Sequence, residues 1–156
     1  ETSEEPQHRP VDQVLRPGQD LLVQVTKEPM GSKGARVTTR IALPARFLVL
    51  MPKGHLIGVS RTIDSAEERA RLRELATKIK PKDMGLIVRT EAEGAQQKEL
   101  KVDLAYLRKI WREIEQAMRK QEAPYMLYQD VSLLYSVIRD MLSDDVEEFL
   151  INTSED

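Results

Sequence analysis

Between positions 100 and 118 the apolar residues Leu100, Leu104, Leu107, Trp111, Ile114 and Met118 recur at steps of four and three. That spacing marks one face of an α-helix, and the stripe continues for about six turns. Most of the stability of such a helix comes from burying its stripe against a partner. The sequence offers partners upstream as short apolar runs of β type. Phe47-Leu48-Val49-Leu50-Met51 stops at Pro52-Lys53-Gly54, and Leu86-Ile87-Val88 stops at Arg89-Thr90. Both are short and bounded by turn or polar residues, and read as buried strands, the second covered on both faces. Trp111, the single tryptophan, sits in mid-stripe, where a core anchor is the plain reading and a base-stacking platform the functional one.

Residues 1–10 are polar, acidic and Pro-bounded and read as a disordered arm or a loop tip. Residues 20–27 alternate as a strand, and residues 35–43 form a second one across a loop with Gly31 and Gly34, so the two predict an antiparallel pair. Lys27, Lys33 and Arg36 cluster at that loop, either as a solvated hairpin tip or as a patch that meets phosphates. Residues 57–61 read as the hairpin partner of the run 47–51, with Gly58 marking a bulge or a close backbone approach. A helix is expected from a cap at Ser65, with Glu68 completing a capping box, to about Lys80, turning Leu72, Leu75, Ala76 and Ile79 inward. The long helix should run over about 96–121. Residues 123–129 and 146–151 alternate as strands around a helix at 131–142, a βαβ unit too small to cover a parallel sheet alone. The fold class is α+β.

The polar pair closing the 86–88 run carries the chemical signal. Ligand groups gather at strand ends because rigid backbone holds them while the next loop leaves room. A guanidinium fork with a hydroxyl suits phosphate, although the same pair is commonly an exposed salt-bridge former. Glu91 and Glu93 come soon after and are expected to face solvent or pair with Arg61. Composition narrows the alternatives. The 156 residues carry 24 basic and 26 acidic side chains, so nucleic-acid binding has to come from local clusters rather than overall charge. Zero cysteines exclude disulfides and thiolate metal sites and suit a reducing, cytoplasmic setting. No run approaches membrane-span length, so no membrane partner is expected. The acidic start is unlike a signal peptide. His8 and His55 lie far apart, and the carboxylates are dispersed, with no catalytic or metal cluster in view.

Taken together, several runs resemble the ribonuclease E/G family of bacterial endoribonucleases. They are Gly18-Gln19, Lys33-Gly34-Ala35, Thr38-Thr39, Leu43-Pro44, the Leu48-Val49-Leu50-Met51-Pro52 run and Gly58 to Arg61. Asp83-Met84-Gly85-Leu86-Ile87-Val88-Arg89-Thr90, Asp103-Leu104, Trp111, Ala123-Pro124 and Arg139-Asp140 continue the match. The resemblance implies three domains: part of an OB-type RNA-binding barrel over 1–43, a 5′-sensor domain of mixed sheet and helices over 44–122, and the opening of an RNase H-like domain over 123–156. It implies that Arg89 and Thr90 hold the 5′-terminal monophosphate of single-stranded RNA, that the backbone at Val49 contributes, and that Arg61 lies by the terminal nucleotide. By the same resemblance Lys27 and Lys33 fall on the RNA surface of the barrel, and Arg36, clustered with them, is counted as RNA-binding. The first half of the barrel is absent. The family's magnesium-binding aspartates and zinc-link cysteines lie, by the same resemblance, beyond Asp156. The parent enzyme is therefore expected to use magnesium and structural zinc, to act in RNA decay and ribosomal RNA processing and to form homo-oligomers. This chain alone is expected to hold no cofactor and to be inactive. A second reading stays open, in which the 100–118 stripe serves oligomer contacts and Arg89 and Thr90 are only structural.

Overall fold

The computed structural model describes residues 10–130, 137–138 and 146–150. It divides into two units, Glu1–Thr39 and Arg40–Asp156. The first holds a short helix, α1 (Val11–Val14), and an antiparallel ribbon of β1 (Gln24–Lys27) and β2 (Arg36–Thr38). Only the last four residues of the expected 20–27 strand are paired, because the facing segment supplies three residues. The register slips between Val25 and Lys27, leaving Lys27 opposite Arg36. The tip closes by reciprocal Met30 and Lys33 backbone bonds of 3.0 and 3.1 Å around Gly31, whose φ of 59° suits glycine.

The second unit is built on a four-stranded sheet: β3 (Leu43–Pro44), β4 (Leu48–Met51), β5 (Ile57–Val59) and β6 (Gly85–Val88). Its spatial order is β3-β4-β6-β5. Leu43 belongs here, so the expected 35–43 strand splits between two sheets. The expected hairpin of β4 with β5 does not form either. β6 lies between them, antiparallel to β4 and parallel to β5, with Leu48 opposite Val88 and Val59 beside Val88. The Pro-Lys-Gly turn signal is local, whereas the true partner of β5 lies on the far side of a helix in the chain.

That helix, α2 (Ala66–Ile79), begins as the sequence indicates, with the Ser65 hydroxyl accepting the Glu68 N–H at 3.1 Å. The Glu68 carboxylate does not return to close a capping box; it is committed elsewhere. The long helix α3 (Gln97–Met118) has a reciprocal box instead, between Gln96 and Glu99. α2 packs on β5 and β6, and α3 on β4. Leu48, Leu50, Leu86 and Val88 of the sheet meet Leu72 and Ala76 of α2 and Leu100 and Leu107 of α3, all fully buried. Each such leucine contributes roughly 1.5–3 kcal/mol by leaving water. The stripe of α3 is thus consumed inside its own unit, with Ile110 joining it and Met118 exposed at the end.

β6 is not covered on both faces: Ile87 points to the other side and stays half-buried, opposite Val49. Gly58 sits beside it, where a Cβ would lie 3.4 Å from Ile87, so the close approach read from the sequence is present. Residues 123–130 and 146–150 form no strand, and Tyr125 and Met126 are exposed. Alternation makes a strand only where a second strand pairs with it, and none of the described residues does so here. The expected helix over 131–142 and the end of the last expected strand fall largely outside the described residues. No described helix is long and apolar enough to cross a membrane.

Candidate anion-binding site

The parallel pairing of β5 and β6 brings their carboxyl ends out together. Val59 is level with Val88, so Ser60 and Arg61 leave one strand beside Arg89 and Thr90 leaving the other. Such paired strand ends are where open α/β sheets collect ligands. The Ser60 N–H donates to the Val88 carbonyl at 2.9 Å, extending the pairing one residue past the strands. An open hollow of about 300 Å³ lies there, lined by Ser60, Ile87, Val88, Arg89, Thr90 and Glu91. Its size is at the lower end of small-ligand sites.

Each polar group in the hollow is held by neighbours. Arg89 takes an extended backbone, donates its N–H to the Phe47 carbonyl at 2.8 Å, and leads into a 3₁₀ turn, Thr90–Ala92. Its guanidinium donates from Nη1 to the Ala45 carbonyl at 2.6 Å, while Nε is 3.3 Å from Glu91 Oε2. Glu91 therefore pairs with Arg89 rather than with Arg61, while staying exposed to solvent as expected. The turn doubles the chain back, which two residues of separation in an extended strand would not do. Thr90 Oγ1 is 2.8 Å from Ser60 Oγ, and Ser60 Oγ also accepts the Thr62 N–H at 3.3 Å. Arg61 is exposed at the same end of the sheet. Val49 lies mid-strand, flanked by Pro44 and Ile87. The bond from the Arg89 N–H to Phe47 makes Val49 and Ile87 a bonded pair by the alternation of an antiparallel ladder, which engages the Val49 backbone in the sheet.

Behind the site, Asp103 of α3 is half-buried beside Leu104 and Leu107. Its Oδ2 accepts the N–H groups of Phe47 at 2.6 Å and Leu48 at 3.0 Å. Burial pushes its carboxyl pKa upward, against those two donors and the positive charges of Arg89 and Arg46. Arg46 stacks over Phe47, 5.2 Å from the ring centre. Sequence reasoning missed Ser60, the Ala45 carbonyl and Asp103 as members of the site. A signal existed for Asp103, a lone carboxylate on the apolar face of an amphipathic helix. None existed for Ser60, whose partner is thirty residues away.

The loop leaving the site is fastened to α2. Glu68 accepts from Arg71 Nε and Nη2, both at 2.6 Å, and from the Gly94 N–H at 2.8 Å, and Arg71 Nη2 reaches the Ala95 carbonyl at 2.9 Å. The Arg71 guanidinium first, and the Gly94 amide second, hold the Glu68 carboxyl down at about 2. A lowered folded-state pKa stabilises above the unfolded value and is lost as pH falls through the folded one. The contribution is therefore complete above about pH 4.5 and fades toward pH 2. Melting curves across that window should show a shallower acid loss in Glu68→Gln than in the unsubstituted chain. Identical pH profiles would show that the clamp adds nothing.

In the other unit, Lys27, Lys33 and Arg36 are all exposed at the closed end of the ribbon, Lys27 facing Arg36 and Lys33 in the tip. Among the described residues no three His, Asp or Glu side chains come together in a way that could hold a metal ion. The described donor set does not fit a magnesium or zinc centre, and no chemical step is assigned to one.

Comparison with known proteins agrees with the residue patterns. The profile of the Ribonuclease E/G family matches residues 42–156. Ribonuclease E of Nostoc sp. is 46% identical over 144 residues, covering 92% of this chain and 21% of that protein. Ribonuclease E of Synechocystis sp. is 44% identical over 143 residues, covering 92% and 21%. Ribonuclease G of Escherichia coli is 39% identical over 145 residues, covering 93% and 30%. The chain thus spans less than a third of the length of these curated relatives.

Proposed function

Since this chain belongs to the ribonuclease E/G family, we propose that its Arg40–Asp156 unit contains the 5′-end sensor of an endoribonuclease that acts on single-stranded RNA. The observation that carries the reading is the convergence of Arg89, Thr90 and Ser60 at the ends of two parallel strands, in an open hollow. A terminal monophosphate brings about 1.5 to 2 negative charges and several acceptor oxygens. Arg89 meets it with a charged fork and Thr90 with a hydroxyl, while Arg61 at the rim lies by the first nucleotide. Glu91 and the Ala45 carbonyl bound the space around the guanidinium, which suits one phosphate better than three.

The residues 1–43 then belong to an RNA-binding barrel, with Lys27, Lys33 and Arg36 on its backbone-contacting surface, and 44–122 and 123–156 to the sensor and the start of a catalytic domain. The parent enzyme works in the cytoplasm on RNA decay and ribosomal RNA processing, as a homo-oligomer with magnesium and zinc supplied by other parts. This chain contributes binding, not cleavage. The alternative of an oligomerisation scaffold draws no support from α3, whose stripe is buried in its own unit.

The test is a titration of the chain with one oligoribonucleotide bearing a 5′-monophosphate, 5′-hydroxyl or 5′-triphosphate. The monophosphate should bind best. The three ribbon cations alone should give a shallow log K against log salt slope of about −2. Equal affinity for monophosphate and hydroxyl ends overturns the sensor reading.

A further inference from the structure

Asp103 is a half-buried carboxylate to which phosphate binding by Arg89 and Thr90 gives no direct task, and its surroundings supply one. Residues 45–48 form a tight turn, closed by the Ala45 N–H donating to the Leu48 carbonyl at 2.8 Å. Arg89 holds this turn from one side, through its own N–H to the Phe47 carbonyl and through Nη1 to the Ala45 carbonyl. Asp103 holds it from the other, accepting two successive N–H groups of the same four residues on one oxygen. The Phe47–Leu48 peptide unit is thus polarised in series, its N–H donated to the carboxylate and its carbonyl accepting from the Arg89 backbone N–H, while the guanidinium holds the Ala45 carbonyl two residues earlier. Ala45 is 2% exposed and Leu48 fully buried, so the turn has no room to shift while Asp103 holds it.

We infer that Asp103 is a positioning residue for the anion site: by pinning the 45–48 turn it fixes where the Ala45 carbonyl stands, and hence how the Arg89 fork is aimed. It touches no ligand itself. Its specificity role arises from geometry, because a guanidinium contributes its paired bonds to a phosphate only when the fork is aligned in advance. The inference rests on the reading of Arg89 as the group that grips a 5′-phosphate.

Asp103→Leu keeps the side-chain size and suits the apolar neighbours, but removes both acceptor bonds. The full chain carrying it should lose the preference for a 5′-monophosphate over a 5′-hydroxyl oligoribonucleotide by about fivefold or more, with the affinity for the hydroxyl form little changed. Asp103→Asn retains an acceptor oxygen and should restore most of that preference. Leu107→Ala, a core variant that lowers stability without touching the turn, should retain it. Loss in Leu107→Ala equal to that in Asp103→Leu, or no loss in either, overturns the inference. If Asp103→Leu does not fold, the unsubstituted chain decides. The amide resonances of Phe47 and Leu48 must move together with Arg89 Nε on addition of the monophosphate oligonucleotide, and an Arg89 shift without them is a refutation. Failure of the underlying reading looks different: Arg89→Ala would then leave the preference intact.

Discussion

Arg89→Ala is expected to lower the affinity of the chain for a 5′-monophosphate oligoribonucleotide by at least about tenfold while changing that for its 5′-hydroxyl counterpart little. One charge-assisted bond contributes roughly 1.5–3 kcal/mol, and about 1.4 kcal/mol corresponds to a factor of ten. The fork is partly committed already, to the Ala45 carbonyl and to Glu91, so the full worth of two phosphate bonds is not to be expected. Arg89→Lys keeps the charge but not the planar fork, and should fall between the two. Thr90→Val, near-isosteric, removes only a hydroxyl that Ser60 otherwise orients, and should cost a smaller factor. Arg89→Ala also releases the Ala45 carbonyl and removes a positive charge near the half-buried Asp103, so its melting temperature is to be measured beside the two affinities. A parallel loss on both oligonucleotides would show a general backbone contact instead of an end sensor.

Trp111→Ala is expected to destabilise the second unit by about 3–5 kcal/mol, the usual cost of removing a large aromatic side chain from a core. Trp111 is 5% exposed and lies between the buried Leu107 and Ile114 on α3. Because small domains are stable by only roughly 5–15 kcal/mol, the variant should melt far below the unsubstituted chain. Trp111→Phe, which refills most of the space, should cost much less. RNA binding by Trp111→Ala should recover when an excluded osmolyte restores the fold. Unchanged melting with lost binding would instead return the tryptophan to the role of a base-stacking platform.

Those two residues mark how far the sequence was legible. α3 was readable because a 3.6-residue period over about six turns admits no other structure, and α2 because a Ser65 cap faces only the residues on its carboxyl side. β6 and the polar pair at its end were readable from an abrupt change of residue type. Partnership was not. Pro52-Lys53-Gly54 reads as a hairpin turn, yet the connection from β4 to β5 spans β6, passing so close at Leu56 that a Cβ on Gly85 would lie 3.0 Å from its carbonyl. The same error hid Ser60, since it became a neighbour of Thr90 only through the parallel pairing. For the 123–129 segment the failure ran the other way: Tyr125, Met126, Leu127 and Tyr128 alternate correctly, but a strand exists only where a second strand completes its ladder.

The position of β6 also has a consequence for how such a molecule is made. It is the last of the four sheet strands in the chain and an inner one in the sheet. During synthesis, β4 and β5 reach solution with a strand-wide slot between them and two unpaired edges facing it. Nothing earlier in the chain can close that slot, and filling it requires β6, which follows α2, to reach back to two partners that both precede that helix. The same event that seats Val88 between Leu48 and Val59 delivers Arg89 to Phe47 and Thr90 to Ser60. Completion of the sheet and assembly of the candidate anion-binding corner are therefore one step, and a chain halted before that step has neither. A nascent or misfolded copy lacks the corner altogether, so if the proposed phosphate grip resides there, binding an RNA end doubles as a report that the protein around it is finished.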